Sequence, residues 1–411
     1  FVLNGKTQEV EILTLEDCLR IGIDNNLSLE GKRKEIQRSK YGVSENRSKL
    51  LPQINAIAGY SNNFDPPVSV TDGSSYGVPY NITQTLQHSA NAGLEMQMPL
   101  FNQTLYTSMS IAKVMEEISR LSYGKAREDV ILQISKMYYL GQVTAEQIML
   151  IKANITRLEE LRDITQAFFD NGMSMEVDLK RVNINLENLK VQYDNAQAMM
   201  KQQLNMLKYI MDYPAEKEIA LTPVNTDSIT TVALTGLSEN IYELQLSQSQ
   251  VQLAERQKKI ITNGYIPSLS LTGSWRYAAY TDKGYHWFHS GPSNQWFRSY
   301  GVGLTLRIPI FDGLDKTYKI KKAMIDIENK RLAWEDARKN LQTQYLNAVN
   351  DLMNNQRNFK KQKDNYLLAE DVYAVTSDRY REGIASMTEV LQDEMQMSEA
   401  QNISAHIITI G

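Results

Sequence analysis

The residues whose types could do chemistry are few and mostly unarranged. His88, His286, His289 and His406 are scattered, and no pair among them has the spacing of a zinc site. Cys18 follows Glu16 and Asp17, which is no lipid-attachment motif, and a single cysteine builds no disulfide framework. The 17 methionines invite thoughts of soft-metal export. Met137, Met199, Met200 and Met206 nevertheless fall at helical core spacing, where flexible thioethers fill gaps. No nucleophile elbow, phosphate loop or paired-carboxylate motif stands out, so no enzymatic activity, metal or cofactor is expected. What remains is a pattern of acids behind glycines. Asp178 lies six residues after Gly172, Glu389 lies six after Gly383, and Gln392 and Asp393 follow Glu389 within one helical turn. On spacing alone Glu389 reads as a solvated acid in the first turns of a helix, where the dipole favours it. A ring of such carboxylates at a constriction would instead concentrate cations.

Those glycines sit inside a plan written twice. Leu51-Pro52-Gln53-Ile54 is echoed by Ile266-Pro267-Ser268-Leu269, Met98-Pro99-Leu100-Phe101-Asn102 by Ile308-Pro309-Ile310-Phe311-Asp312, and Gly172 by Gly383. Landmarks in the same order at a near-constant offset mark an internal duplication. Prolines are missing from Leu100 to Tyr213 and from Ile310 to Gly411, as long unbroken helices require. Within each copy the hydrophobic period passes from helical to strand and back. Val130, Ile134 and Met137, then Ile148, Ile151, Ile155, Leu158 and Leu161, keep helical spacing, and Ile327, Trp334, Leu341 and Ala348 are seven apart, as in coiled coils.

The spacing predicts a tail over 1–12, a first copy over 13–207, a linker over 208–236 and a second copy over 237–411. Helices are expected over 14–50, 101–171 and 174–207 in the first copy, and over 237–264, 312–382 and 386–405 in the second. Strands are expected over 53–63, 91–99, 268–280 and 300–309, with exposed loops over 64–90 and 281–299. In the strands apolar and polar residues alternate. Tyr60, Trp275 and Tyr277 belong to the apolar set, and their aromatic rings suit a lipid interface; Glu95, Gln97 and Arg307 belong to the polar set.

Composition at first points to a soluble protein. The 411 residues are 42% hydrophobic and 22% charged, with a net charge of −4. There is no basic excess to hold nucleic acid, and no apolar run approaches the roughly 20 residues of a transmembrane helix. The first residues, Phe1-Val2-Leu3-Asn4-Gly5-Lys6, are not expected to be a signal peptide. The strands reverse that first expectation. Their apolar faces must be covered or must meet lipid, and a sheet in lipid has to close, because unpaired edge groups there cost several kcal/mol each. Four strands cannot close, whereas three chains pooling four each make a twelve-stranded barrel with a polar lumen. The competing expectation is a soluble coiled-coil scaffold whose strands form a small internal sheet.

The ordered double set resembles the TolC-like outer-membrane efflux protein family. Its most specific pieces are Ile308-Pro309-Ile310-Phe311-Asp312-Gly313 and Tyr380-Arg381-Glu382-Gly383 followed by Glu389-Val390-Leu391, and the resemblance runs from Leu13 to Gly411. It implies a mixed α and β membrane protein: a homotrimer whose β-barrel crosses the outer membrane of a Gram-negative bacterium, in contact with outer-membrane lipid. An α-helical barrel would continue it through the periplasm. It implies an exit duct of an efflux or type I secretion system that passively conducts cargo from a periplasmic adaptor (a membrane fusion protein) and an inner-membrane pump of RND, ABC or MFS type. Gly172 and Gly383 would form the periplasmic tip that contacts the adaptor, with Glu389, Gln392 and Asp393 at the aperture. The family pattern there is Asp-Val-Leu-Asp, and this chain has Glu389-Val390-Leu391-Gln392, with Asp393 one turn after Glu389. Asp178, Tyr380 and Arg381 match or neighbour residues that hold the tip shut in some members. The basic partner expected after the second glycine is replaced by Ala385, leaving Arg379, Arg381, Lys180 or Arg181 as stand-ins.

Overall fold

A computed structural model describes residues 10–66, 68–84, 86–223, 240–281 and 296–407 of the chain. The elements, in chain order, are β1 (Glu11–Leu13), α1 (Leu15–Asn25), α2 (Leu27–Ser48), β2 (Gln53–Asn62), β3 (Val68–Asp72), β4 (Tyr80–Gln84), β5 (His88–Phe101), α3 (Gln103–Asp170), α4 (Glu176–Met211), β6 (Ile219–Leu221), α5 (Tyr242–Asn263), β7 (Ser268–Thr281), β8 (Trp296–Arg307), α6 (Asp315–Arg381) and α7 (Met387–Ile407). α3 has 68 residues and α6 has 67, each about 100 Å of helix at ~1.5 Å per residue.

Contacts divide the chain into two compact units. One is Phe1–Lys34, Leu121–Gln245 and Glu335–Gly411; the other is Glu35–Arg120 and Leu246–Trp334. The boundaries fall inside α2, α3, α5 and α6, so the units cut across the sequence repeats rather than coinciding with them.

In the second unit β2, β5, β7 and β8 form one antiparallel sheet in the order β2-β5-β7-β8. The repeated Asn/Asp that follows each proline motif explains how strand turns into helix. Asn102 Oδ1 accepts the Thr104 N–H at 3.1 Å and the Leu105 N–H at 3.4 Å, capping α3. Asp312 Oδ2 accepts the Lys316 N–H at 3.2 Å and its Nζ at 2.9 Å at the head of α6, and this lysine holds the Asp312 carboxyl below its ordinary pKa. Pro99 lies within β5, and the pairing with β7 shifts register between Pro99 and Phe101, since proline cannot donate to the ladder.

In the first unit Leu13, Leu29, Ile134, Leu207 and Met211 anchor a core, with Cys18 buried among them as a small apolar side chain. Burial raises the Cys18 thiol to about 11, so it stays protonated.

Three parts of the structure depart from the sequence expectation. The helix expected over 14–50 is broken at Asn26, whose Nδ2 donates to the Ile210 carbonyl at 2.8 Å and whose Oδ1 accepts the Leu29 N–H at 3.1 Å. A side chain that competes for backbone groups in this way ends one helix and starts the next. The loop expected over 64–90 contains the hairpin β3–β4. Parts of the expected tail and linker pair as parallel strands, β1 with β6, in the register Glu11↔Ile219 to Leu13↔Leu221. Strands of three residues are too short to show a period. The loop aromatics and histidines between 282 and 295 lie outside the described residues, as do residues 224–236 of the linker.

Candidate functional site: a two-faced sheet and a glycine-turn tip

In the sheet, register sorts every side chain to a face. One set of rows reads Asn55–Glu95–Ser274–Gly301 and Gln53–Gln97–Thr272–Gly303, and is polar or small. The intervening rows read Ile54–Met96–Gly273–Val302 and Ala56–Leu94–Trp275–Tyr300, with Met98, Leu271 and Leu304 in a third. Register puts Glu95, Gln97 and Arg307 on the polar face and Tyr60, Trp275 and Tyr277 on the apolar one. Trp275 and Tyr277 meet edge to face at 5.4 Å, and the Tyr60 hydroxyl lies 2.9 Å from His88 Nδ1.

The polar face holds a residue that sequence reasoning missed. Arg276 forms an ion pair with Glu95 across β5 and β7. It reaches Glu95 over Gly93, its register partner, where an added Cβ would lie 2.4 Å from the Trp275 carbonyl oxygen. A sequence signal exists, because Arg276 shares the parity of Ser270, Thr272 and Ser274. A cavity of about 500 Å³ opens on this face, lined by Glu95, Gln97, Thr272, Ser274, Gly301 and Gly303 among others.

The tip belongs to the other unit. α3 and α6 end in the same way. Gly172 has φ +74° and Gly383 φ +77°. The Met173 N–H reaches the Phe168 carbonyl at 2.8 Å and the Gly172 N–H that of Phe169 at 2.9 Å. Ile384 to Arg379 at 2.8 Å and Gly383 to Tyr380 at 2.9 Å repeat the pattern. These are paired Schellman closures, which only a residue without a Cβ adopts freely. Behind them Leu158, Leu161, Val182, Leu186, Tyr380, Met387 and Val390 form a buried core.

The expected gate residues find partners within the chain. Tyr380 is buried, 5.6 Å from the Phe168 ring centroid, with its hydroxyl 3.4 Å from Thr165 Oγ1. Asp178 pairs with Arg181 at 3.3 Å, and Arg381 with Asp378 on its own helix at 3.6 Å. The structure does not bring Asp178, Tyr380 and Arg381 to one another through any of these bonds. Of the four basic stand-ins, Arg181 makes the link from α4 to α7, donating to Thr388 Oγ1 at 3.1 Å.

Glu389 is exposed, but its carboxylate is occupied locally. It accepts the Ser386 N–H at 2.8 Å, while the Glu389 N–H donates to Ser386 Oγ at 3.3 Å. This is a capping box at the start of α7. Asp393 lies four residues on, and Gln392 lines a groove of about 370 Å³ with Arg181, Thr388 and Leu391.

Deeper in the same unit lies a second group that sequence reasoning missed. Glu394 is 4% exposed, and among the described residues its Oε1 and the Nε of Arg157 lack hydrogen-bond partners. Arg157 bonds Asn154, which donates to Ser398 at 2.9 Å. Burial pushes the Glu394 carboxyl up from its ordinary range, and Arg157 opposes the shift. A carboxyl whose folded pKa is raised holds its proton longer in the folded state, so stability falls as pH rises through and beyond the ordinary Glu range. Glu394→Gln is therefore expected to melt a few degrees above the wild type at pH ~8, the gap closing near pH ~4. Thermal unfolding by circular dichroism at both pH values checks this; an equal gap at both would assign the effect to packing rather than charge.

The comparisons with known proteins agree with this geometry. The family described as "Outer membrane efflux protein" matches residues 21–211 and 236–405, one match in each sequence repeat. The chain is similar to outer membrane protein TolC of Vibrio cholerae, 21% identical over 319 residues that cover 75% of this chain and 66% of that protein, just under two thirds of its length. It is also similar to the probable efflux pump outer membrane protein TtgC of Pseudomonas putida, 23% identical over 94% of this chain and 78% of the relative. Among solved structures, CusC superposes with a TM-score of 0.80 over 96% of this chain and 88% of that one, at 16% identity, which establishes the mixed α and β fold.

Proposed function

The chain belongs to the outer membrane efflux protein family, a family of non-enzymatic channels of the Gram-negative outer membrane, and from this premise we propose that it is the exit duct of a tripartite export machine. The observation that carries the proposal is the sheet β2-β5-β7-β8, with one apolar face, one polar face and, among the described residues, no strand paired to the outer edges of β2 and β8. Open edges in lipid cost several kcal/mol per unpaired group, so the sheet must be closed by other strands. Three copies closing edge to edge give twelve strands, with the apolar face toward lipid and Glu95, Gln97, Arg276 and Arg307 toward a wet lumen. No described helix is long and apolar enough to cross a membrane, and the strands take that role.

In this assembly the long helices form the periplasmic tunnel of a homotrimer. Gly172 and Gly383 present the tip to an adaptor, which couples it to an inner-membrane pump. Glu389, with Asp393 and Gln392 behind it, rings the aperture. Asp178, Arg181 and Thr388 tie the two hairpins together within one subunit and hold the tip in register. Membrane fractionation tests the whole. The protein is expected in the outer-membrane fraction, extracted only by detergent and trimeric by cross-linking. A detergent-free monomer would overturn the proposal.

The capping box makes the aperture testable residue by residue. Glu389→Gln keeps an acceptor for the Ser386 N–H but removes the charge, whereas Ser386→Ala removes the cap and keeps the charge. Cation over anion permeability, from reversal potentials in planar bilayers, is expected to fall several-fold in Glu389→Gln and to hold in Ser386→Ala. Loss of the cap destabilises the helix by about 1 kcal/mol. Unchanged selectivity in Glu389→Gln would remove this residue from the constriction.

A further inference from the structure

Among the described residues the apolar face of the sheet carries one arginine or lysine. Down the rows of β2, β5, β7 and β8 that share this face, Arg298 is the single Lys, Arg, Asp or Glu among the described residues. It stands opposite Tyr277 in the β7–β8 register, beside the Trp275↔Tyr300 pair, so that one arginine and three aromatic rings form a compact block. Its guanidinium lies 5.9 Å from the Tyr300 ring centroid, and it makes no ion pair with any described carboxylate. From this block the face continues through Val302, Leu304 and Leu306, exposed at 80%, 66% and 60%, to the exposed Ile308, Ile310 and Phe311.

Length fixes where such a cation sits. Leu306 lies eight positions beyond Arg298, about 27 Å along a strand at ~3.4 Å per residue and roughly 20 Å along the membrane normal at a tilt of ~40°. The apolar band of an outer-membrane barrel is ~25 Å tall and is flanked by aromatic girdles. With Ile308 to Phe311 at the helical end, Arg298 therefore reaches the far rim, at headgroup depth. A guanidinium there has five donors, no carboxylate partner among the described residues and a desolvating aromatic wall, and the chemistry that complements it is a phosphate monoester or diester, bound bidentately.

We propose that Arg298, with Trp275, Tyr277 and Tyr300, is a binding site for the phosphate of an outer-leaflet glycolipid, whose acyl chains lie along Val302, Leu304 and Leu306. The proposal rests on the barrel assembly above. The arginine anchors the phosphate, the rings pack on the sugar, and the ladder of aliphatic side chains meets the chains.

The test uses the purified full-length trimer in detergent, with bisphosphorylated lipid A and its dephosphorylated form as probes and native mass spectrometry as the readout. Wild type is expected to retain the bisphosphorylated lipid and to lose the dephosphorylated one. Arg298→Gln is expected to reduce retention about tenfold, and Arg298→Lys, a point charge without the planar fork, about threefold. Millimolar inorganic phosphate is expected not to displace the lipid, because the chains contribute to binding. Equal retention by Arg298→Gln, equal retention of the dephosphorylated probe, or displacement by inorganic phosphate alone would each overturn the site. Conductance of the same variant in planar bilayers keeps the two levels apart. A conducting Arg298→Gln trimer with unchanged lipid retention sinks the site and leaves the barrel standing, whereas a wild-type protein that neither trimerises nor conducts sinks the barrel itself.

Discussion

Replacing Leu304 with Arg is expected to abolish the detergent-stable trimer proposed above, while Thr305→Arg, one residue along β8, leaves it intact. Leu304 pairs with Leu271 on the apolar face, and Thr305 pairs with Ser270 on the polar one. In the proposed barrel the first change places a guanidinium against acyl chains, at about 2–4 kcal/mol near the midplane, or roughly 6–12 kcal/mol over three copies. That approaches the whole stability of an ordinary domain, about 5–15 kcal/mol. The second change adds a cation to a face that already carries Glu95, Arg276 and Arg307, and there water solvates it. Gel mobility of unheated samples and the share of protein in the outer-membrane fraction measure both variants. If Thr305→Arg proved as damaging as Leu304→Arg, the two faces would have been assigned the wrong way round.

The second large effect concerns the tip. Gly383→Val is expected to abolish export with trimers intact. At φ +77° a side chain is strained whatever the space around it, and a Cβ built there would meet nothing within 4 Å. The penalty is therefore one of backbone conformation, about 1–2 kcal/mol for an ordinary L-residue and more for a β-branched one. The chain relieves it by leaving the left-handed region, which breaks the Ile384 to Arg379 closure and swings the exposed Ile384 away from its place at the tip. Gly383→Asn tolerates the same angle and is expected to retain most export. Cells carrying the adaptor and pump of the proposed machine supply the assay, with trimer content measured in parallel. Full export by the Val variant would remove this turn from the docking surface.

Much of this architecture is legible in the sequence because its signals are long. Strands of 10–14 residues in which apolar and polar side chains mostly alternate, and helices of 67 and 68 residues, leave periods that no local accident imitates. The duplicated Pro-Leu-Phe-Asn and Pro-Ile-Phe-Asp marks fall where strand gives way to helix, because Asn102 and Asp312 are the groups that receive the first helical N–H donors. What stayed hidden is short, or depends on partners far along the chain. β1 and β6 have three residues each, Asn26 breaks its helix through a carbonyl 184 residues away, and Glu394 looks like any helical acid until Arg157 and Asn154 are folded around it. Glu389 shows the opposite limit. Its position was legible, but the capping box that occupies its carboxylate depends on hydrogen-bond geometry at Ser386.

The parallel pair β1–β6 also sets an order of events in time. Its register joins Glu11 to Ile219, so a contact at the start of the described chain waits until more than 200 further residues have been made. Closing so long a loop is entropically slow. Once closed, it staples the two ends of the first repeat together, and the Tyr138 hydroxyl then donates to the Leu13 carbonyl from the middle of α3. The clasp therefore joins the ends of the first repeat without using any residue of the second. β5, by contrast, is completed on one side only by β7, which comes from the opposite repeat.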